Sequence, residues 1–171
     1  TWNTISSSVP SQSRYYNWNV PNGVVTGQAR IRATSGTYSD MSDADFTIVG
    51  VPNNLQVTYA CPDSIGLSWN AVTGASGYEV SALGAEYMDS VGTSNTTSIA
   101  ITGLNPTVSH WFSVKALTPD GGAGERAIAI QFNGGTFNCA LPVDAGLEAL
   151  VAPSAGAFPS CQASNQTDIS I

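Results

Sequence analysis

The chain has 171 residues, five Lys and Arg against twelve Asp and Glu, a formal net charge of −7 and a single histidine. Charged residues make up only 10 %, against roughly a quarter in an average soluble domain, and five scattered cations exclude nucleic acid, whose phosphates demand clustered Lys and Arg. The same deficit excludes an anionic membrane surface, and no apolar run approaches the ~20 residues that a spanning helix needs.

Polarity comes from serine, threonine and 17 glycines, residues that suit turns and short strands better than helices. Period-2 alternation recurs along the chain and predicts an all-β protein. Within residues 1–50 it predicts three strands, at Tyr16/Trp18/Val20, at Ala29/Ile31/Ala33 and at Phe46/Ile48. Between residues 51 and 133 the alternation is denser. Ile65, Leu67 and Trp69 form one run, Tyr78, Val80 and Ala82 the next, then Ile99 and Ile101. His110, Phe112, Val114 and Ala116 follow, and Ile128, Ile130 and Phe132 close the series. Thr118-Pro119-Asp120-Gly121-Gly122 is a hairpin turn, with Pro fixing φ and glycine free to take φ > 0. Strands at intervals near ten residues, each with one apolar face, read as a β-sandwich whose two sheets bury those faces against each other. The expected core is Leu55, Val57, Leu67, Trp69, Tyr78, Val80, Ile101, Leu104, Phe112, Val114, Ala116 and Ile128. The tail, 134–171, offers one or two strands, around Leu147 to Val151 and Asp168 to Ile171. Neither flank has enough strands for a sandwich of its own, since a two- or three-stranded sheet is marginal in water. The expectation is a whole middle domain bracketed by parts of two others. The alternative is that the flanks complete one sandwich, within a chain or between copies.

Three stretches of the middle domain carry a resemblance. Trp69 stands at a buried strand-B position, Tyr78-Glu79-Val80 resembles strand C, and Leu104-Asn105-Pro106 followed by His110, Phe112, Val114 and Ala116 matches an E–F corner and strand F. Residues 51–133 thereby resemble a fibronectin type III domain, with His110 where the family usually has its corner tyrosine. Gly77-Tyr78-Glu79-Val80, Leu83-Gly84, Tyr87-Met88-Asp89 and the run from Trp111 to Ala116 resemble the version in large proteins exported by bacterial type IX secretion. There it accompanies secreted peptidases and surface adhesins. Residues 1–50 look like the second half of an immunoglobulin-like module, through Trp2, Tyr16-Asn17-Trp18 and Phe46-Thr47-Ile48. Residues 134–171 look like a linker and the opening of a further β-sandwich module.

Chemistry-bearing residues are few. The bland reading of His110 is a corner ring that hydrogen-bonds a nearby carbonyl, and nothing at ligand spacing makes it a metal ligand or base. A hydrolytic triad lacks supply, so no catalytic residue is assigned. Asp40, Asp43 and Asp45 are the densest carboxylates, and oxygen ligands two or three apart in a loop are weak candidates for Ca²⁺, with Asp63 and Asp89 as further ones. The bland alternative is a solvated turn entering a strand. No other cofactor is implied. An odd cysteine count in an exported chain implies one pair and one thiol, or a partner cysteine outside these residues. Cys139–Cys161 is the preferred disulfide, closing a loop at the start of the third module, worth roughly 3 kcal/mol on a loop-entropy argument; Cys61–Cys139 is its rival. Trp2, Trp18, Trp69 and Trp111 raise sugar stacking; Trp69 fits the core, Trp18 sits in an alternating strand, and Trp111 is the one candidate for exposure, where packing against a neighbouring module is the favoured reading over sugar binding. Asp63-Ser64-Ile65 and Asp89-Ser90-Val91 resemble the O-glycosylation pattern of the same bacteria and make Ser64 and Ser90 candidate sites.

The resemblance implies a non-catalytic structural or adhesion segment of a large secreted or cell-surface protein. The alternative is an accessory region of a secreted peptidase, subtilisin-like or metal-dependent, whose catalytic domain lies elsewhere. The expected partners are neighbouring β modules of the same chain or copies of it, and protein or glycan surface ligands, with no membrane insertion.

Overall fold

The computed structural model describes residues 1–135, and every regular element among them is a strand. Four short strands lie in the first fifty residues: β1 (Thr26–Ala29), β2 (Arg32–Ser35), β3 (Tyr38–Met41) and β4 (Phe46–Ile48). Eight follow: β5 (Gln56–Cys61), β6 (Ser64–Ser68), β7 (Gly77–Leu83), β8 (Met88–Ser94), β9 (Ser98–Thr102), β10 (His110–Leu117), β11 (Ala123–Arg126) and β12 (Ile130–Phe132). One sheet runs β5-β6-β9; the other runs β11-β10-β7-β8, with β12 pairing β10 beyond β11. All of these pairs are antiparallel. Three strands against five, with β11 and β12 together making one interrupted edge strand, is the fibronectin type III arrangement.

The alternation read from the sequence sets what the sandwich encloses. Val80 stands opposite Val114, Ala82 opposite Phe112 and Tyr78 opposite Ala116, while Ile65 faces Ile101 across the other sheet. Antiparallel partners share a face, so these pairs point inward together. Phe112, Ile65, Leu67, Val80 and Val114 lose all or nearly all contact with water, each stabilising the fold by about 1.5–3 kcal/mol. Trp69 meets Tyr78 edge to face, with ring centroids 5.3 Å apart, and the Tyr78 hydroxyl accepts the Val72 N–H at 2.9 Å. Leu55, Ile101 and Ala116 are buried as expected, and Val57 and Leu104 pack half-buried against them.

Ile128 breaks the expectation: it is 93 % exposed, and Ala127 takes the inward place. The register of the last strand explains why. Leu117 pairs Ala123, Lys115 pairs Arg126 and Phe112 pairs Ile130, so the strand gains one residue against β10 in each interval. The Ala127 N–H reaches the Val114 carbonyl at 2.8 Å, which puts the second extra residue between Ala127 and Ile130. An inserted residue flips parity, and Ile128 is ejected into solvent.

Residues 1–50 depart further from the reading. Tyr16 to Val20 forms no strand, because alternation without a hydrogen-bonding neighbour does not make one. The expected run Ala29/Ile31/Ala33 is split in two, since β1 pairs β4 while β2 turns away to pair β3. Ile31 marks the change of partner, its carbonyl accepting the Ser42 N–H at 2.9 Å. The stretch read as a carboxylate loop begins with β3, closed onto β2 by a turn in which Gly36 takes φ 60°. No residue in 1–50 is buried.

Candidate functional site

Two places gather polar chemistry among the described residues. The first is where the β1–β4 pair meets the hairpin between β10 and β11. That hairpin turns through Thr118-Pro119-Asp120-Gly121, with the Gly121 N–H on the Thr118 carbonyl at 3.1 Å. Pro119 sets the first central φ, and Gly121 follows at φ 88°, a value only glycine takes without strain. The turn points the Asp120 carboxylate at β1. Its Oδ2 accepts the Thr26 hydroxyl at 2.6 Å and its Oδ1 the Gly27 N–H at 2.7 Å. The Thr118 hydroxyl donates to the same Oδ1 at 2.5 Å and itself accepts the Gly122 N–H at 2.7 Å.

These bonds favour the ionised carboxylate. The Thr118 hydroxyl, then the Thr26 hydroxyl and the Gly27 N–H, draw the Asp120 pKa from 3.8 down to about 2. The contact is also steric. A β-carbon on Gly27 would overlap the Gly122 backbone, one on Gly122 would overlap Gly27, and one on Gly124 would strike the Val49 side chain. Two glycines therefore let backbone lie on backbone, and the carboxylate fastens the seam.

The second place is a groove of about 940 Å³ beside β1 and β4, walled by residues 1–5, 16–19 and Pro21. Trp2, Tyr16 and Trp18 line it together with the amides of Asn17 and Gln28. Trp2 and Tyr16 are 48 % and 51 % exposed. Arg30 and Asp45, also in the lining, form an ion pair with each other. The Arg32 guanidinium lies 4.4 Å from the Trp2 ring centroid, a cation–π contact that fixes one face of the indole.

The residues singled out from sequence fall in separate places. His110 fills the E–F corner, its Nε2 2.7 Å from the Asn105 carbonyl oxygen, the bond expected of a ring standing in for tyrosine. Asp40 stands on β3 opposite Ala33, Asp43 lies in the bend that follows, and Asp45 faces Arg30. Asp63 occupies the turn between β5 and β6, and Asp89 an exposed place on β8. Among the described residues no three of His, Cys, Asp and Glu stand together as a metal site. Ser64 opens β6 half-buried and Ser90 is exposed on β8. Cys61 ends β5; Cys139 and Cys161 lie outside the described residues. Trp69 is in the core, and Trp111 is 40 % exposed on the outer face. Asp120 was not marked by sequence reading. The turn around it was evident, but its partners Thr26 and Gly27 lie more than ninety positions away.

No family model matches the chain. Over 93 residues it is 34 % identical to a segment of an alpha-amylase from Niallia circulans, covering 50 % of this chain and 7 % of that protein. It therefore spans a small fraction of the relative it matches. Solved structures with a similar backbone include an Fn3-like protein from Clostridium thermocellum, at 19 % identity and TM-score 0.43, covering 51 % of this chain and 94 % of that one. Another is a human fibronectin type III domain, at 13 % identity and TM-score 0.46, covering 54 % and 92 %. Strands β5 to β12, by their order and pairing, form a fibronectin type III sandwich.

Proposed function

We propose that the chain is a non-catalytic structural and adhesion segment of a large secreted or cell-surface multidomain bacterial protein. The observation that carries this reading is the Asp120 seam. It hydrogen-bonds the strands of residues 1–50 to a hairpin of the sandwich, which suits a part whose work is to hold neighbouring modules at a set angle. In this reading residues 1–50 are the second half of an immunoglobulin-like module, residues 51–133 the fibronectin module, and residues 134–171 the opening of the next. Export by type IX secretion, a Cys139–Cys161 disulfide and modification at Ser64 or Ser90 belong to the same proposal.

The lone histidine supports the absence of catalysis. Its Nε2 is held at the Asn105 carbonyl, which commits that nitrogen to the corner rather than to activating a nucleophile as hydrolysis requires. A second reading of the parent protein, a secreted enzyme acting on polysaccharide, is favoured by the 34 % match to an alpha-amylase segment.

Scattering in solution and ¹⁵N relaxation on the full chain test the structural reading. Amides of β1 and β4 should tumble with those of β10, as one body. Independent tumbling of residues 26–48 would defeat the reading. Separately, the chain should leave peptide, ester and glycoside substrates unchanged, and turnover that disappears in His110→Ala would make the corner histidine catalytic.

A further inference from the structure

The groove beside β1 and β4 has a lining that the sandwich does not explain. An exposed aromatic is ordinary when it stands alone. Here Trp2, Tyr16 and Trp18 converge on one concavity, although residues 1–50 bury no side chain to form a core of their own. A groove near 940 Å³ lies within the size range of ligand sites.

The remaining lining narrows the occupant. Asn17 and Gln28 present planar amides that each both donate and accept. Arg30 and Asp45 are paired with one another, so the groove is close to electrically neutral in a chain of net charge −7. An anionic ligand would be repelled by the chain as a whole, and the one cation beside the groove without a carboxylate, Arg32, is already seated on the Trp2 ring. A purely apolar ligand would strand the amides without partners. A neutral ligand with an apolar C–H face and a rim of hydroxyls satisfies both halves: rings cover the face, and amides and the ion pair bond the rim. Arg32 against Trp2 holds that ring in place, so its orientation is set before anything binds.

We propose that this groove is a binding site for a neutral oligosaccharide, with Trp2, Tyr16 and Trp18 stacking on sugar rings and Asn17, Gln28 and the Arg30–Asp45 pair bonding their hydroxyls. The inference deepens the adhesion reading and rests on it for the role of the bound glycan. It is separable from it, because the Asp120 seam can hold whether or not the groove is filled, and it requires that the rest of the immunoglobulin-like module leave this groove open.

The test is titration of the full chain with maltoheptaose, cellohexaose and xylohexaose, followed by tryptophan fluorescence and calorimetry, with a polygalacturonate oligomer as the charged control. At least one neutral oligosaccharide should give saturable binding, and the charged one none. Trp18→Ala and Trp2→Ala should each weaken that binding by about tenfold or more, equivalent to about 1.4 kcal/mol. Gln28→Ala should weaken it several-fold, and Trp111→Ala, on the outer face of the sandwich, should leave it unchanged. Near-ultraviolet dichroism of the buried Trp69 verifies that each variant is folded. Absence of saturable binding with all three neutral probes overturns the proposal, as does an equal loss in Trp111→Ala. Sedimentation decides against the rival occupant: if Trp18→Ala dissociates a dimer instead of weakening sugar binding, the groove is an interface between copies.

Discussion

Residues 1–50 and residues 51–135 are written in the same vocabulary of short strands rich in serine, threonine and glycine, yet they solve different problems. In the second region two sheets face one another, and Ile65, Leu67, Val80, Phe112 and Val114 disappear from solvent between them. In the first, two strand pairs have no second layer, and Trp2, Tyr15, Tyr16, Ile31 and Tyr38 remain at the surface. Both regions form strands. What differs is whether an apolar face has an opposing one, and stability follows the opposing face rather than the strand. The first region is ordered by what it touches, through the carboxylate of a turn in the second.

Core substitutions should separate the regions most sharply. Trp69→Ala removes a buried indole packed edge-on to Tyr78 and should cost about 3–5 kcal/mol in urea unfolding, a large share of a small domain's stability. Tyr38→Ala, at an 82 % exposed position on β3, should stay within about 0.5 kcal/mol. Equal losses would mean that the first region has a core of its own.

The seam comes next. Gly122→Val places a branched side chain where the Gly27 backbone lies and should cost about 1–3 kcal/mol. Proteolysis between residues 20 and 50 should accelerate while the amides of β6, β7 and β10 keep their exchange protection. If those central strands lost protection too, the seam would be part of the sandwich rather than an attachment to it.

Acid should do reversibly what Gly122→Val does permanently. The Asp120 pKa lies below its ordinary value, so the ionised form is the one favoured by the fold. Its contribution is complete above about pH 4 and is lost as pH falls through about 2. The Gly27 amide shift should therefore titrate with a midpoint near 2, and Asp120→Asn should abolish that titration. A midpoint near 3.8 would mean that the Thr118, Thr26 and Gly27 donors do not hold the carboxylate in solution.

The smallest effect is predicted at Ile128. A large aliphatic side chain in a sandwich would ordinarily be costly to replace, but Ile128→Lys should change stability by no more than about 0.5 kcal/mol, because the side chain is already in water. A loss above 2 kcal/mol would place Ile128 back in the core.

The sandwich was largely legible because period-2 alternation reports which face is buried, and for Tyr78, Val80, Phe112, Val114 and Ala116 the report was right. It failed at Ile128 because an inserted residue has no local signature: parity is counted against β10, not along β11 and β12. It failed again at Tyr16 to Val20, where the pattern of a strand occurs without a neighbour to pair with. The corner role of His110 was readable, since its partner Asn105 lies five residues away. The role of Asp120 was not. Its turn is encoded in four consecutive residues, but its ligands arrive from a strand that only the tertiary fold brings near. The groove lay between these cases, with its tryptophans visible in the sequence and their convergence invisible.

The irregular last strand has a consequence for how the molecule behaves in company. Strands β11 and β12 form the outer edge of the larger sheet, where a straight strand would offer another chain a continuous row of unpaired amides and carbonyls. Two register shifts against β10 interrupt that row, bending the backbone and breaking the even spacing on which edge-to-edge addition depends. The displacement that puts one isoleucine in water thus also denies this edge of the sheet a template for fibrous growth.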